Sequence, residues 1–332
     1  MKSTIKILSL LLIFTLVGCN STKEKVADTS VPNVIFDTDM GNDVDDALAQ
    51  AMLLNYEKIG KVKIVAMATN KDNPYSPLLV KEINKYYGKP EIPIGKIKDG
   101  KTKDDGIFAS KVCKKLGISA DEAKQFKDAT SVLRKALAES ADNSVVYCSV
   151  GFSTNLLNLI NSKADEYSNL NGKDLLRKKV KYLSIMAGDF ENQNHPEYNV
   201  KIDIPTAKAI FENPPVPIVF SGYEIGKAIR FPAEIVYNDL ANDNPVVSAY
   251  ELFSIFCGNR MNNRQTWDLT SVLCIVSPDS FAISENGKIE VTDNGCMRFI
   301  PASNGICRYL KFDNSHTPQT ILPKLIEAVK GF

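Results

Sequence analysis

The sequence predicts an α/β fold: a single domain with an open, mostly parallel (Rossmann-like) sheet covered by helices, plus a C-terminal β-hairpin appendage. Two observations predict this class. Short apolar runs rich in β-branched residues alternate with segments of helical periodicity through most of the chain. No internal repeat or low-complexity linker divides the 332 residues, which are enough for one large core.

Strands and helices follow one another from residue 33 onward. We predict strands at 33–36, 62–68, 92–94, 145–150, 180–187 and 216–220, and helices at 46–58, 77–87, 131–140, from about 153, and at 245–256. The first helix, for example, carries Ala47, Leu48, Ala51 and Met52 at helical spacing. Helices of about ten residues between strands are typical of crossover connections, so the strands should be mainly parallel.

The C-terminal part has a different pattern. Residues 288–292 and 296–300 flank Asp293-Asn294-Gly295, a tight-turn signal that predicts a hairpin. A strand at 306–312 and a final helix at 318–329 complete the chain.

Composition excludes several classes of protein. Lys and Arg number 40 against 39 Asp and Glu, so the net charge of +1 does not favour a nucleic-acid binder. Hydrophobic residues at 44% and charged residues at 24% are typical of a soluble globular protein. Only 2 His are present, which argues against a His-rich zinc site. A bound metal would therefore be held by oxygen atoms.

The N-terminus has the layout of an export signal. Lys2 and Lys6 precede an apolar run at 7–17 that is too short to span a bilayer as a mature helix. Leu16-Val17-Gly18-Cys19 then resembles the bacterial lipobox, which implies that residues 1–18 are removed and that Cys19 is lipidated. The polar residues 19–31 would form a tether, and an unlipidated secretory protein is the alternative. We expect an exported protein anchored to a bacterial membrane, facing the periplasm or in the outer membrane.

Six cysteines remain beyond Cys19, and none forms a C-x-x-C motif. A thiol redox motif and a zinc ribbon are therefore not supported. Export permits disulfides, and Cys296 with Cys307 is the candidate pair because the two residues flank a short turn-rich stretch. Buried free thiols are the alternative, which we favour for the other four.

An acidic cluster follows the first predicted strand. Residues 37–46 contain five carboxylates and neither Lys nor Arg. Unpaired anions at the end of a buried strand would repel one another by several kcal/mol. A bound Ca²⁺ or Mg²⁺ would remove that cost, and open α/β sheets bind ligands at the carboxyl ends of their strands. The alternative is a solvated loop in which Asp45 and Asp46 favour a helix N-terminus.

Two common acidic motifs do not fit this segment. An EF-hand loop starting at Asp37 would need Gly and Glu where Asn42 and Leu48 stand. Haloacid-dehalogenase phosphatases have Thr or Val at the position of Gly41.

The segment closely resembles the signature of the inosine-uridine-preferring nucleoside hydrolase family. Asp37-Thr38-Asp39-Met40-Gly41 and Asp45-Asp46-Ala47 match it, with a spacer two residues longer than in the best-known members. Further matches follow in the family's order: Ala68-Thr69-Asn70, Val150-Gly151-Phe152-Ser153-Thr154-Asn155, Met186-Ala187-Gly188-Asp189-Phe190 with Glu197-Tyr198-Asn199-Val200, and Trp267-Asp268-Leu269. The resemblance spans about residues 33–285 and implies a nucleoside hydrolase-like domain over 32–332.

The resemblance also implies a role for individual residues. Asp39 would be both a Ca²⁺ ligand and the general base, and Asp46 would chelate the same ion. The backbone carbonyl of Thr154 and the carboxylate of Asp268 would complete the ligand set. The residues that would hold the sugar are Asp45, Asn70, Glu197 and Asn199.

Some of these positions have alternative interpretations. Asn70 could cap a turn. Thr154 could cap its helix through its side chain while its backbone carbonyl still binds the ion. Glu197 and Asn199 alternate, so on an extended segment they share one side, but they could also lie at the surface.

The sequence also leads to expectations for Asp43, Asp37 and His195. The longer spacer leaves Asp43 as a rival to Asp45, which we prefer because it keeps Asp-Asp-Ala at the helix start. Asp37 is expected to brace the loop through hydrogen bonds. His195 is either a loop residue or a neighbour of the sugar's 5′ end.

Trp267 stands where many relatives have a His that protonates the departing base. An indole N–H has no proton to give near neutral pH. If the indole stacks on a purine, this contact could instead raise the proton affinity of the base. The alternative is that Trp267 is only a packed residue of the core.

The leading hypothesis is Ca²⁺-dependent hydrolysis of the N-glycosidic bond of ribonucleosides, with purines favoured. A nucleoside- or sugar-binding lipoprotein without chemistry is the second hypothesis, and a metal-dependent phosphatase is the third. We expect no nucleic-acid partner and contact with a membrane only through the lipid anchor. The resemblance implies a homodimer or homotetramer.

Overall fold

Strands and helices alternate along residues 31–332, which the computed structural model describes. The predicted signal peptide, Cys19 and most of the tether lie outside the described residues. The strands are β1 (Asn33–Thr38), β2 (Lys63–Thr69), β3 (Ile94–Lys96), β4 (Lys127–Asp128), β5 (Val145–Ser149), β6 (Val180–Met186), β7 (Ile218–Ser221), β8 (Arg230–Phe231), β9 (Arg264–Gln265), β10 (Ala282–Ile283), β11 (Gly287–Val291), β12 (Met297–Pro301) and β13 (Cys307–Lys311).

The helices cover both faces of the sheet that these strands form. They are α1 (Asp45–Lys58), α2 (Tyr75–Tyr86), α3 (Ala109–Lys115), α4 (Ala129–Glu139), α5 (Thr154–Asn161), α6 (Gly172–Lys179), α7 (Tyr198–Ile202), α8 (Ile204–Phe211), α9 (Tyr223–Ala228), α10 (Ala233–Asp239), α11 (Pro245–Phe256), α12 (Trp267–Val276) and α13 (Pro318–Lys330). Short 3₁₀ helices occupy Ala120–Gln125 and Pro278–Ser280.

One eleven-stranded sheet forms the centre of the fold, in the order β12-β11-β13-β7-β6-β5-β1-β2-β3-β4, with β10 paired to β13. Every neighbouring pair from β13 to β4 is parallel, whereas β10, β11 and β12 pair in antiparallel fashion. Strands β8 and β9 form a separate two-stranded sheet. The predicted α/β class with an open, mostly parallel sheet is therefore confirmed.

The C-terminal hairpin forms as predicted, with Val291 of β11 opposite Met297 of β12. It extends the edge of the main sheet, because β13 runs parallel to β7 and also contacts β11 through the Cys307–Gly287 pair. The chain thus leaves the hairpin, inserts β13 between it and β7, and ends in α13.

The proposed Cys296–Cys307 disulfide is wrong. All six cysteines of the described residues are free thiols. The strand order explains this result, because β11 lies between the strand that follows Cys296 and the strand that begins at Cys307. Two inter-strand spacings amount to about 9.6 Å, beyond the Cα separation that a disulfide tolerates.

Several helices were not predicted from the sequence, and α12 is the clearest example. Its residues from Asp268 to Ile275 are all buried, and the helix contacts α1, α9 and β6. A helix that is buried on every side lacks the exposed polar stripe that produces an amphipathic period. No helix of the described residues is long and apolar enough to cross a membrane.

The parallel register brings the strand ends together. Thr38 of β1 lies opposite Thr69 of β2, and Asp37 lies opposite Ser149 of β5. Ser149 in turn pairs with Ile185 of β6. Because these strands are parallel and end at the same level, the loops after β1, β5 and β6 meet at one edge of the sheet.

Candidate active site

A cavity of about 700 Å³ opens at this edge of the sheet. Nine of the residues singled out in the sequence line it: Asp39, Asp43, Asp45, Asp46, His195, Glu197, Asn199, Trp267 and Asp268. They come from the loop after β1, the start of α1, the segment before and within α7, and the start of α12. The fold thus brings together residues that are up to 229 positions apart in the sequence.

Four carboxylates form the floor of the cavity: Asp39, Asp45, Asp46 and Asp268, each no more than 5% exposed. Burial raises the pKa of Asp39 to about 6. Burial and the neighbouring carboxylates raise the pKa of the other three well above the ordinary value. The four acids therefore repel one another in a setting that disfavours charge, as expected of a site for a cation.

Short polar contacts fix the orientation of these acids. The Thr38 hydroxyl donates to Asp46, and the Asn42 amide donates to Asp39 Oδ2 at 2.6 Å. The backbone N–H of Asp268 donates to Asp45 Oδ2 at 3.1 Å. This last contact joins the first turns of α1 and α12, which explains how an acid from α12 joins the acidic cluster after β1.

The donor set fits a hard cation by its chemistry, since all four groups are carboxylates and Ca²⁺ prefers oxygen ligands. Among residues 31–332, no group of three or more His, Cys, Asp or Glu side chains is already arranged to hold a metal ion.

Asp37 lies beneath the cavity floor and is completely buried. Its carboxylate accepts hydrogen bonds from the Tyr147 hydroxyl at 2.8 Å, Asn155 Nδ2 at 2.9 Å and Asn70 Nδ2 at 3.1 Å. Burial raises its pKa to about 7 despite these donors. The predicted hydrogen bonding of Asp37 is confirmed, but its partners lie on β5, on α5 and directly after β2 and not in the acidic loop.

Asn70 and Thr154 do not reach the cavity lining. Asn70 donates to Asp37 and accepts the backbone N–H of Phe152 at 3.1 Å, so its amide is used in bracing the strand ends. The hydroxyl of Thr154 donates to Asp203 at 2.6 Å. Their predicted roles as sugar and metal ligands remain predictions.

Val150, which begins one of the matched motifs but was given no role in the sequence analysis, lines the cavity. Its carbonyl oxygen accepts a hydrogen bond from Asn199 Nδ2 at 3.0 Å. The next residue is Gly151, where an added Cβ would lie 2.6 Å from Asn70 Oδ1 and 2.7 Å from the Asp39 nitrogen. The close approach that this glycine permits explains how the turn after β5 reaches the acidic loop.

Glu197 and Asn199 line the same cavity as the four acids. Glu197 caps α7 and accepts the backbone N–H groups of Asn199 at 2.9 Å and of Gly188 and Val200 at 3.3 Å each. Burial raises its pKa to about 7. The segment is not extended as expected, because Asn199 already lies in the first turn of α7, yet both residues line the cavity.

An aromatic wall closes another side of the cavity. The ring of Trp267 stacks on Tyr223, with centroids 5.4 Å apart and planes at 22°. The Trp267 indole N–H donates to the Tyr223 carbonyl at 2.9 Å, and the Arg264 guanidinium lies 5.0 Å from the indole centroid. Tyr223 and Arg264 had no sequence signal, because neither belongs to a motif or a periodic segment.

The structure also shows which of Asp43 and Asp45 belongs to the group of buried acids. Asp43 forms an ion pair with Arg264, whose Nε donates to Asp43 Oδ1 at 2.7 Å, and it is partly exposed. Asp45 is buried beside Asp268. Asp43 therefore already has a cationic partner, whereas Asp45 belongs to the four acids of the cavity floor.

Comparisons with known proteins agree with this fold. A family model described as inosine-uridine preferring nucleoside hydrolase matches residues 34–312. No curated protein matches the chain. A plant nucleoside hydrolase structure is similar with a TM-score of 0.67 at 16% identity, covering 91% of this chain and 98% of that one.

Two bacterial structures show the same similarity of fold. A purine-preferring ribonucleoside hydrolase from Gardnerella vaginalis has a TM-score of 0.66 at 12% identity, with 90% of this chain and 98% of that one covered. An inosine-uridine preferring nucleoside hydrolase from Bacillus anthracis has a TM-score of 0.64 at 16% identity, with 90% and 99% covered.

Proposed function

Because the chain belongs to the inosine-uridine preferring nucleoside hydrolase family, we propose that it hydrolyses purine ribonucleosides to base and ribose with Ca²⁺ bound at the cavity floor. One observation carries this proposal. Four buried carboxylates, with a pKa raised in each, line a cavity that also has an aromatic wall. A cation relieves their repulsion, and a flat aromatic surface suits a nucleobase.

The carboxylates of Asp39, Asp46 and Asp268 would hold the ion. For the backbone ligand we propose Val150 in place of Thr154, because Val150 lines the cavity and its carbonyl is bonded to a cavity side chain. When bound, Ca²⁺ would supply a Lewis acid that orients water and the ribose hydroxyls.

The chain's own residues would divide the remaining work. Asp39 would accept the proton of the attacking water, since its buried carboxylate lies on the cavity floor beside the proposed ion. Asp45, Glu197 and Asn199 would hold the sugar hydroxyls. Cleavage of the bond gives the ribose oxocarbenium character, which nearby carboxylates stabilise.

The aromatic wall would select the base. Trp267 and Tyr223 stack on each other, and Arg264 lies against the indole. Since the indole N–H is bonded to a backbone carbonyl, the ring orientation is fixed. A purine offers more stacking area to this wall than a pyrimidine.

We expect Trp267→Ala to lower turnover of purine nucleosides by roughly 5- to 150-fold, because base stacking is worth about 1–3 kcal/mol by alanine substitution. Trp267→Phe keeps an aromatic face and should lose much less. Release of reducing sugar from inosine and uridine measures both variants. Equal inosine turnover by the wild type and Trp267→Ala would contradict the stacking role.

The same assay on a panel of nucleosides tests the proposed function against its two rivals. Release of reducing sugar supports the hydrolase. Saturable binding without release of reducing sugar would instead favour a capture protein. That alternative is considered because Trp267 stands where many members of the family have a His. Phosphate release from a nucleoside monophosphate, with no sugar released from a nucleoside, would favour the phosphatase.

We further propose that Cys19 carries the lipid that holds the protein at a bacterial membrane. The support is the order of Lys2, Lys6, the apolar run and Cys19 in the sequence. Cys19→Ala should move the protein from the membrane to the soluble fraction of its native host. Mass spectrometry of the N-terminus should find an acylated Cys19. A Cys19→Ala variant that stays in the membrane fraction would contradict the anchor.

A further inference from the structure

His195 lies on the cavity wall with one ring nitrogen held by an acid. Its Nδ1 is 3.1 Å from Asp189 Oδ2. Asp189 is almost completely buried, whereas the side chain of His195 is 34% exposed. A carboxylate that engages Nδ1 fixes the ring and leaves Nε2 as the nitrogen available to the cavity.

Two hydrogen bonds from backbone N–H groups hold the loop between Asp189 and His195. The backbone N–H of His195 donates to the Asn192 carbonyl at 2.9 Å. The backbone N–H of Asn192 donates to Asp189 Oδ1 at 2.8 Å. Asp189 thus uses one oxygen to close the loop and the other to orient the imidazole, so the pair is built into the backbone conformation.

The imidazole is next to the surface where the base would stack. Its ring centroid lies 4.5 Å from that of Tyr223, which also stacks on Trp267. His195 and Trp267 therefore contact the same phenol ring, and both line the cavity. The charged groups beside His195 are Asp189, Glu191, Glu224 and Lys227, which share an adjoining cavity of about 680 Å³ with it, and Glu197 in the main cavity.

Two neighbouring side chains, Trp267 and Tyr198, are poor proton donors. The N–H of Trp267 is bonded to the Tyr223 carbonyl and does not ionise near neutral pH. Burial raises the pKa of the Tyr198 phenol to about 12. The second His of the chain, His316, precedes α13 and contacts Asp313. Imidazole is the side chain that ordinarily exchanges a proton between pH 5 and 8.

We propose, on the basis of the proposed function, that His195 is the general acid that protonates the departing base and that Asp189 is its positioning residue. As the bond from C1′ to the base nitrogen breaks, its electron pair goes to the base, and a ring nitrogen of the base takes the proton from His195 Nε2. Water adds its oxygen to C1′ and gives a proton to Asp39. Solvent then reprotonates His195 and takes the proton from Asp39, so the sum is nucleoside plus water to base plus ribose.

Comparing two substrates tests this role. Inosine needs a protonated leaving group, whereas p-nitrophenyl riboside releases a stable phenolate without one. His195→Gln should lower kcat/KM on inosine by about 10²- to 10⁴-fold and leave p-nitrophenyl riboside nearly unchanged. The alkaline limb of the inosine pH profile should disappear in this variant. His316→Gln, the matched control, should behave as the wild type on both substrates.

Asp189→Asn should give a smaller loss on inosine and move the alkaline limb, since an amide cannot hold the same ring tautomer. Equal losses of His195→Gln on both substrates, or unchanged turnover of inosine, would overturn the role as acid. The retained p-nitrophenyl riboside activity also shows that the variant folds. A wild-type protein inactive on both substrates would overturn the proposed function itself, which is a distinguishable outcome.

Discussion

Replacing Asp39 by Asn should lower kcat on inosine by about 10²- to 10⁴-fold, the range for loss of a general base, and further if metal binding also weakens. Asp39 is buried on the cavity floor, and its carboxylate oxygen can accept the proton of the attacking water. Asn has nearly the same shape but cannot accept that proton. Steady-state kinetics at saturating Ca²⁺ would measure the loss.

A matched control for Asp39→Asn is Asp105→Asn. Asp105 is an exposed acid of the loop before α3, and it accepts a hydrogen bond from Asn73 that an amide oxygen can also accept. This control should retain nearly full activity. Turnover by Asp39→Asn at the rate of Asp105→Asn would show that another group activates the water.

Replacing Asp268 by Asn should have opposite effects on stability with and without Ca²⁺. In chelator at pH 8 the variant should be more stable than the wild type, because it removes one of four buried like charges whose mutual repulsion opposes folding. In millimolar Ca²⁺ it should be less stable, because the ion loses a ligand and no longer stabilises the native state by mass action.

Thermal unfolding with and without Ca²⁺ measures both effects of Asp268→Asn, and calorimetric titration gives the affinity. Asp43→Asn is the matched control, since Asp43 is already paired with Arg264 and is not one of the four acids. A variant that keeps the wild-type rise in Tm on adding Ca²⁺ would contradict the role of Asp268 as a ligand.

Local patterns in the sequence predicted the parts of the fold that depend on neighbouring residues. The five carboxylates of residues 37–46 predicted a charged site because they directly follow a strand. In a parallel sheet the strand ends lie at one edge, where ligands bind. Asp268 could be connected to them only through the family resemblance. Its contact with Asp45 depends on the packing of α1 against α12, which no local pattern encodes.

Other parts of the site needed the three-dimensional structure. Tyr223 lies at the start of the short helix α9, and its role in the aromatic wall follows from its stacking on Trp267. Val150 reaches the cavity because the turn at Gly151 approaches the acidic loop closely. The position of β13 between β7 and the hairpin likewise depends on long-range pairing, which the turn signal at Gly295 does not specify.

We propose that the chain cleaves a nucleoside to base and free ribose with Ca²⁺ at the four buried acids. The most direct test incubates inosine with protein stripped by a chelator and then reloaded with Ca²⁺, and follows the products by chromatography. We expect intact inosine after stripping, and equal amounts of hypoxanthine and ribose once Ca²⁺ is returned. Intact inosine in the presence of Ca²⁺, or full cleavage by the stripped protein, would contradict the claim.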